Sequence, residues 1–133
     1  MKAAFLREIA LEGAVFSSKG EGKKFVSLSW VKIQVKEKLG FTPYLGTLNI
    51  RLTSESMSRK KLLEKAKKFE ISPEIGYCTG TLIKACMEGL DCGVVLPQVP
   101  SYPKDLLEII AACNLRERFR LKDGSEVCVS VSV

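Results

Sequence analysis

Val127-Cys128-Val129-Ser130-Val131-Ser132-Val133 closes the chain with a valine at every second position. Successive side chains of an extended strand point to opposite faces, so this alternation predicts a half-buried strand with one apolar and one small polar face. Lys122-Asp123-Gly124-Ser125 just upstream has the composition of a tight turn. Before it, Asn114 and Glu117 have the spacing of a helix-capping pair, which predicts a short helix through Phe119.

Reading outward from that end, residues 9–17 alternate weakly and predict a first strand. The loop Ser18-Lys19-Gly20-Glu21-Gly22-Lys23-Lys24 follows it. Ser29 to Leu39 predicts a helix, capped by Ser29 and ended by Gly40 in the left-handed conformation. Leu48 to Leu52 suits a strand, and residues 75–87 and 92–96 are rich in strand formers, with Glu88-Gly89-Leu90-Asp91 between them. Within 100–112, Leu106, Leu107, Ile109 and Ile110 fit either a buried strand or a helix. Residues 59–68 hold Arg59, Lys60, Lys61, Lys65, Lys67 and Lys68, with Leu62, Leu63, Ala66 and Phe69 at helical spacing. That pattern predicts an amphipathic helix with a solvated basic face, the sharper alternative being a DNA-contacting helix. Glu64 is placed to pair with Lys60 or Lys68.

At 133 residues and 46% hydrophobic content, the chain is expected to form one domain over 1–133. No apolar run approaches the roughly 18 residues of a membrane span, and Arg7, Glu8 and Glu12 interrupt any signal-peptide pattern. A soluble, cytoplasmic protein without a membrane partner is expected. Cys78, Cys86, Cys92, Cys113 and Cys128 are odd in number and irregular in spacing, and histidine is absent, which argues against structural zinc and for reduced thiols. Without histidine, proton transfer falls to a carboxylate, Lys, Tyr, Cys or solvent. The net charge of +6 favours an anionic partner: nucleic acid, membrane surface or a phosphorylated small molecule.

Two segments can carry chemistry. Gly20-Glu21-Gly22-Lys23-Lys24 has glycines that admit backbone N–H groups to phosphate oxygens and lysines that add charge, although such a stretch also makes an ordinary surface turn. It matches neither the Walker spacing nor the dinucleotide fingerprint. Thr47 and Asn49 stand two apart in Phe41-Thr42-Pro43-Tyr44-Leu45-Gly46-Thr47-Leu48-Asn49, so an extended backbone points both side chains the same way. Their neutral oxygens suit a magnesium ion that takes its negative ligands from phosphates. Spacing alone equally allows both to satisfy turn or backbone groups.

Taken in order, Gly20-Glu21-Gly22, Gly40-Phe41, Pro43-Tyr44, Gly46-Thr47-Leu48-Asn49, Pro97, Tyr102-Pro103, Glu108-Ile109-Ile110-Ala111, Leu115-Arg116 and Leu121-Lys122-Asp123-Gly124 resemble the archaeal CTP-dependent riboflavin kinases. The resemblance is weakest before residue 9 and across roughly 54–75. It implies a mainly β fold, a compact six-stranded cradle-loop β-barrel with short peripheral helices. It implies transfer of the γ-phosphate of CTP to the 5′-hydroxyl of riboflavin, giving FMN and CDP. A monomer without a nucleic-acid partner is expected. Some of these enzymes carry an extra DNA-binding domain, for which 133 residues are expected to leave no room. The resemblance assigns the nucleotide to Lys19, Gly20, Glu21, Gly22, Lys23 and Lys24 and to Cys113, Asn114, Leu115 and Arg116. It assigns Mg2+ to Thr47 and Asn49, and the flavin to Glu108 and the 100–101 region. Glu108 is then either a catalytic base or a hydrogen-bond acceptor for the ribityl chain. Pro100 replaces the usual flavin-contacting threonine, with the Ser101 hydroxyl one position later, and Ser18 stands where many relatives begin the loop with glycine. The competing readings are a nucleic-acid-binding regulator on a related small barrel and a flavin-binding protein without kinase activity.

Overall fold

The computed structural model describes residues 7–17, 28–72, 80–98 and 101–133. In chain order it contains β1 (Glu8–Phe16), α1 (Ser29–Leu39), β2 (Leu48–Leu52), α2 (Ser54–Lys60), a 3-10 segment (Lys61–Lys65), β3 (Lys68–Ile71), β4 (Gly80–Met87), β5 (Leu90–Pro97), β6 (Leu106–Ala111), α3 (Leu115–Arg118) and β7 (Glu126–Ser132). The strands pair antiparallel in the order β3-β4-β5-β6-β2-β1-β7, and a bridge between Cys86 and Ser130 joins β4 to β7. Six strands thereby close into a barrel. β3 is an addition to it: residues Gly80 to Ile83 of β4 pair with β3, and the other end of β4 meets β7.

Alternation along the strands fills the barrel. Leu11, Ile50, Leu107, Ile109, Val94 and Val129 belong to one interior cluster and are fully buried. The terminal valine stripe behaves as the pattern predicts: Val129 and Val131 are buried, Cys128 is exposed and Ser130 is half-buried. These apolar side chains occupy the barrel interior, so the polar side chains that alternate with them are carried on the outer face. Gly13, opposite Leu52, marks a close strand approach, since a Cβ there would lie 2.3 Å from the backbone oxygen of Arg51. A second core lies outside the barrel, where Val31 and Val35 of α1 pack on Ile71, Leu82, Val95 and Ile110.

Several local expectations need correcting. α1 spans the predicted residues and ends at Gly40 with φ 85°, but its N-cap is Leu28, which supplies no side-chain cap, and Ser29 is already helical. The basic run 59–68 is not one helix. Thr53 caps α2 by accepting from the Ser56 N–H, which starts the helix earlier, and the chain passes through a 3-10 turn into β3 within the same run. Neither predicted Glu64 pair forms: Lys60 Nζ donates to the carbonyls of Lys104 and Leu106, and Lys68 reaches the Glu64 carbonyl. The ambiguous stretch resolves as β6, because Leu107 and Ile109 face inward between β2 and β5. The turn between β4 and β5 is only Glu88-Gly89, both at positive φ (50° and 78°), the geometry that a two-residue hairpin requires. Among the described residues no helix is long and apolar enough to cross a membrane.

Candidate active site on the outer wall

Register places the site. Phe16 of β1 lies opposite Asn49 of β2, Asn49 opposite Glu108 of β6, and Glu108 opposite Val95 of β5. These four residues form one row on the outer face, because they alternate with the inward Val15, Ile50, Leu107 and Val94. Asn49 is nevertheless only 6% exposed. A polar side chain is kept at such a depth when its hydrogen-bonding groups are used.

Thr47 joins the row from the segment leading into β2. Its hydroxyl donates to Asn49 Oδ1 at 3.2 Å and lies 3.5 Å from Glu108 Oε1. Three oxygens of three side chains therefore converge within hydrogen-bonding range. The other carboxylate oxygen, Glu108 Oε2, accepts from the Tyr102 hydroxyl at 2.9 Å. Burial, the adjacent Glu108 charge and that hydrogen bond together hold the Tyr102 phenol protonated well above the usual tyrosine range. Lys60 Nζ lies 5.8 Å from the centre of the Tyr102 ring. Burial lowers the Lys60 pKa, partly offset by the charge of Asp105.

The metal expectation can be tested on donor chemistry. Among the described residues no three His, Cys, Asp or Glu side chains cluster as a metal cage. Thr47 and Asn49 instead offer adjacent hard oxygens beside one carboxylate, a set that fits magnesium retaining waters and taking phosphate oxygens from a substrate.

Next to this row, a cavity of about 150 Å³ is lined by Tyr44 to Leu48 on one side and Cys113 to Arg116 on the other, with Ile109 and Ala111 between. Thr47 thus connects the oxygen cluster to the 113–116 segment. Within that segment Leu115 is buried in the barrel core, and its carbonyl accepts from the Phe119 N–H at 3.0 Å. Asn114 Oδ1 caps α3 by accepting from the Glu117 N–H at 3.2 Å, as the spacing predicts, while its Nδ2 donates to the Tyr44 hydroxyl at 3.3 Å. Cys113 is half-buried against the core. Arg116 is engaged by protein groups: one terminal nitrogen donates to Phe16 O (3.2 Å), Ser17 Oγ (3.3 Å) and Asp123 Oδ1 (2.9 Å). It ties the end of β1 to α3 and to the 122–125 turn.

Of the remaining expected residues, Lys19, Gly20, Glu21, Gly22, Lys23, Lys24 and Pro100 lie outside the described residues, as does Cys78. Ser101 is exposed and directly precedes Tyr102. The structure brings together Thr47, Asn49 and Glu108, and sets the 113–116 segment beside Thr47. A larger cavity of about 740 Å³, lined by Glu12, Arg51, Phe119 and Glu126 among others, contains none of the expected site residues. Two participants escaped the sequence reading. Tyr102 was visible only as half of a Tyr-Pro pair, and Asp123 only as a turn residue.

A family model labelled CTP-dep_RFKase, described as "Domain of unknown function DUF120", matches residues 15–131. Among curated relatives, a protein named riboflavin kinase from Archaeoglobus fulgidus is 37% identical over 130 residues, covering 92% of this chain and 54% of the relative. One of the same name from Methanococcoides burtonii is 37% identical over 131 residues, covering 93% and 57%. Another from Ignicoccus hospitalis is 36% identical over 129 residues, covering 94% and 72%. The chain spans little more than half the length of the first two relatives.

Proposed function

Because the chain belongs to the CTP-dependent riboflavin kinase family, we propose that it transfers the γ-phosphate of CTP to the 5′-hydroxyl of riboflavin, forming FMN and CDP. The observation that carries this reading is the convergence of Thr47, Asn49 and Glu108 on the outer wall, next to the cavity lined by Cys113 to Arg116. Phosphoryl transfer asks little covalent chemistry of a protein. It needs donor and acceptor in line and charge on the transferring group stabilised. Thr47 and Asn49 would hold magnesium, which when bound would neutralise charge on the donor phosphates. Glu108 accepts a hydrogen bond from the riboflavin 5′-hydroxyl and takes its proton as the new P–O bond forms and the bond to the CDP leaving group breaks.

The nucleotide lies between two chain segments. Cys113 to Arg116 present backbone groups to cytosine, and Lys19 to Lys24 contact the phosphates. This second segment begins two residues after Ser17, and Ser17 is tied to Arg116. The flavin approaches from the side of Ser101 and Glu108.

Incubation with riboflavin and each of the four nucleoside triphosphates, following FMN by chromatography, tests the reading. CTP should be the preferred donor. A site whose polar groups match cytosine leaves them unpaired with another base, and each loss costs roughly 1–3 kcal/mol. ATP turnover equal to or faster than CTP turnover would sink the donor assignment, and no FMN from any donor would sink the kinase reading.

A further inference from the structure

Tyr102 is a half-buried titratable group that the transfer scheme leaves without a task, although its hydroxyl donates to Glu108 Oε2 at 2.9 Å. We infer that Tyr102 is a positioning residue for Glu108: its O–H holds Oε2 and turns Oε1 toward Thr47, where the acceptor hydroxyl has to lie. The inference rests on the riboflavin kinase reading and adds to it the group that sets the carboxylate's orientation.

The physical need is specific. The terminal torsion of a glutamate is broad and roughly two-fold, so packing of the stem alone does not choose where the two oxygens point. A hydrogen bond of 2.9 Å to one oxygen does choose, and the second oxygen then lies 3.5 Å from Thr47 Oγ1. The donor is dependable, because the phenol is held protonated well above the working range. It is also fixed in place. The ammonium of Lys60 sits over the Tyr102 ring at 5.8 Å, within reach of a cation–π contact. The same ammonium donates to the carbonyls of Lys104 (3.0 Å) and Leu106 (3.1 Å), just beyond the tyrosine. From the barrel side, the Leu52 N–H donates to Asp105 O at 2.7 Å, and Arg51 pairs with the Asp105 carboxylate at 3.5 Å. The segment carrying Tyr102 is therefore pinned from both sides, as a part that aims another part must be.

The test is a double-mutant cycle on FMN formation. Tyr102→Phe keeps the ring and its packing and removes only the donor. Its kcat should fall about ten- to a hundredfold, the cost of a reacting group misplaced by about an ångström, with little change in KM for riboflavin or CTP. In a Glu108→Gln background the same change should have almost no further effect on kcat, because the group it aims is gone. Thermal melting of all variants is measured alongside. An unchanged kcat in Tyr102→Phe, or the same loss in both backgrounds, would overturn the inference, the latter because a structural role does not depend on the Glu108 charge. A wild-type enzyme that makes FMN but ignores Tyr102→Phe defeats this inference alone. A wild-type protein that makes no FMN defeats the kinase reading and this inference with it.

Discussion

At the scale of single residues, the metal-binding reading depends on Asn49 and Thr47, whose oxygens stand 3.2 Å apart. If both serve one ion, Asn49→Ala should slow FMN formation at least about tenfold, equivalent to roughly 1.4 kcal/mol of transition-state stabilisation. Thr47→Val should behave similarly, and the double variant should lose less than the product of the single losses. Rates are compared with thermal melting for all three proteins. Normal rates in folded variants would remove the metal pair, and parallel losses of rate and melting temperature would leave only a structural role. The two-residue spacing of this pair is legible in the sequence, because a strand puts i and i+2 on one face. The row that links Asn49 to Phe16 and Glu108 is not. It is set by the register of three strands, and nothing in the spacing between residues 16, 49 and 108 encodes it. The Tyr102 contact is hidden for a related reason: it joins a loop residue to a strand residue six positions later, an offset that no regular element makes.

At the scale of elements, the junction of β1, α3 and the 122–125 turn bears on the nucleotide. Arg116 bridges Ser17 and Asp123, and the Ser17 hydroxyl also donates to Asp123 at 2.9 Å and 3.0 Å. The hydrogen bond from Arg116, then that from Ser17, holds the Asp123 carboxyl below its ordinary range. A carboxyl with a depressed folded pKa contributes stability above its unfolded pKa and loses it as the pH falls through the folded value. The tie should therefore be intact at neutral pH and open under acid conditions, below the ordinary aspartate range. Asp123→Asn should raise KM for CTP by about two- to fivefold at neutral pH, the factor that an exposed ion pair is worth. KM for riboflavin should hardly move. An equal shift for both substrates would mean that the junction serves the fold in general and not the nucleotide. The elements themselves were unevenly legible. α1, β2, β7 and the Asn114 cap follow from local chemistry that nothing in the tertiary structure opposes. In the basic run, local periodicity lost: the Thr53 cap begins the helix early, and pairing with β4 draws Lys68 to Ile71 into a strand.

At the scale of the whole molecule, 21 Lys and Arg against 15 Asp and Glu leave an excess of six positive charges. The ion pairs Arg51–Asp105, Arg59–Glu12 and Arg116–Asp123 each cancel one charge of each sign and so leave that excess unchanged. The two proposed substrates respond to it differently, because CTP carries a polyanionic triphosphate and riboflavin is neutral. Long-range attraction between exposed charges is screened over about 10 Å at about 0.1 M salt and about 3 Å at about 1 M. Raising monovalent salt from about 0.05 to about 0.5 M should therefore lower kcat/KM for CTP by about three- to tenfold. The same change should alter kcat/KM for riboflavin much less, provided that CTP is saturating. Lys61, Lys65 and Lys67 are exposed on the former basic run and touch none of the proposed site residues in the described contacts. Replacing all three with glutamine should flatten the salt dependence for CTP while leaving kcat in place. Equal salt losses for both substrates would trace the effect to the fold or the chemical step instead of to the field. Flat profiles for both would mean that the net charge plays no part in gathering the donor, and that close contacts at the site suffice. Should the triple variant keep the full salt slope, the relevant charge lies nearer the nucleotide, and the lysines of the Gly-rich segment, Lys19, Lys23 and Lys24, are the next to neutralise.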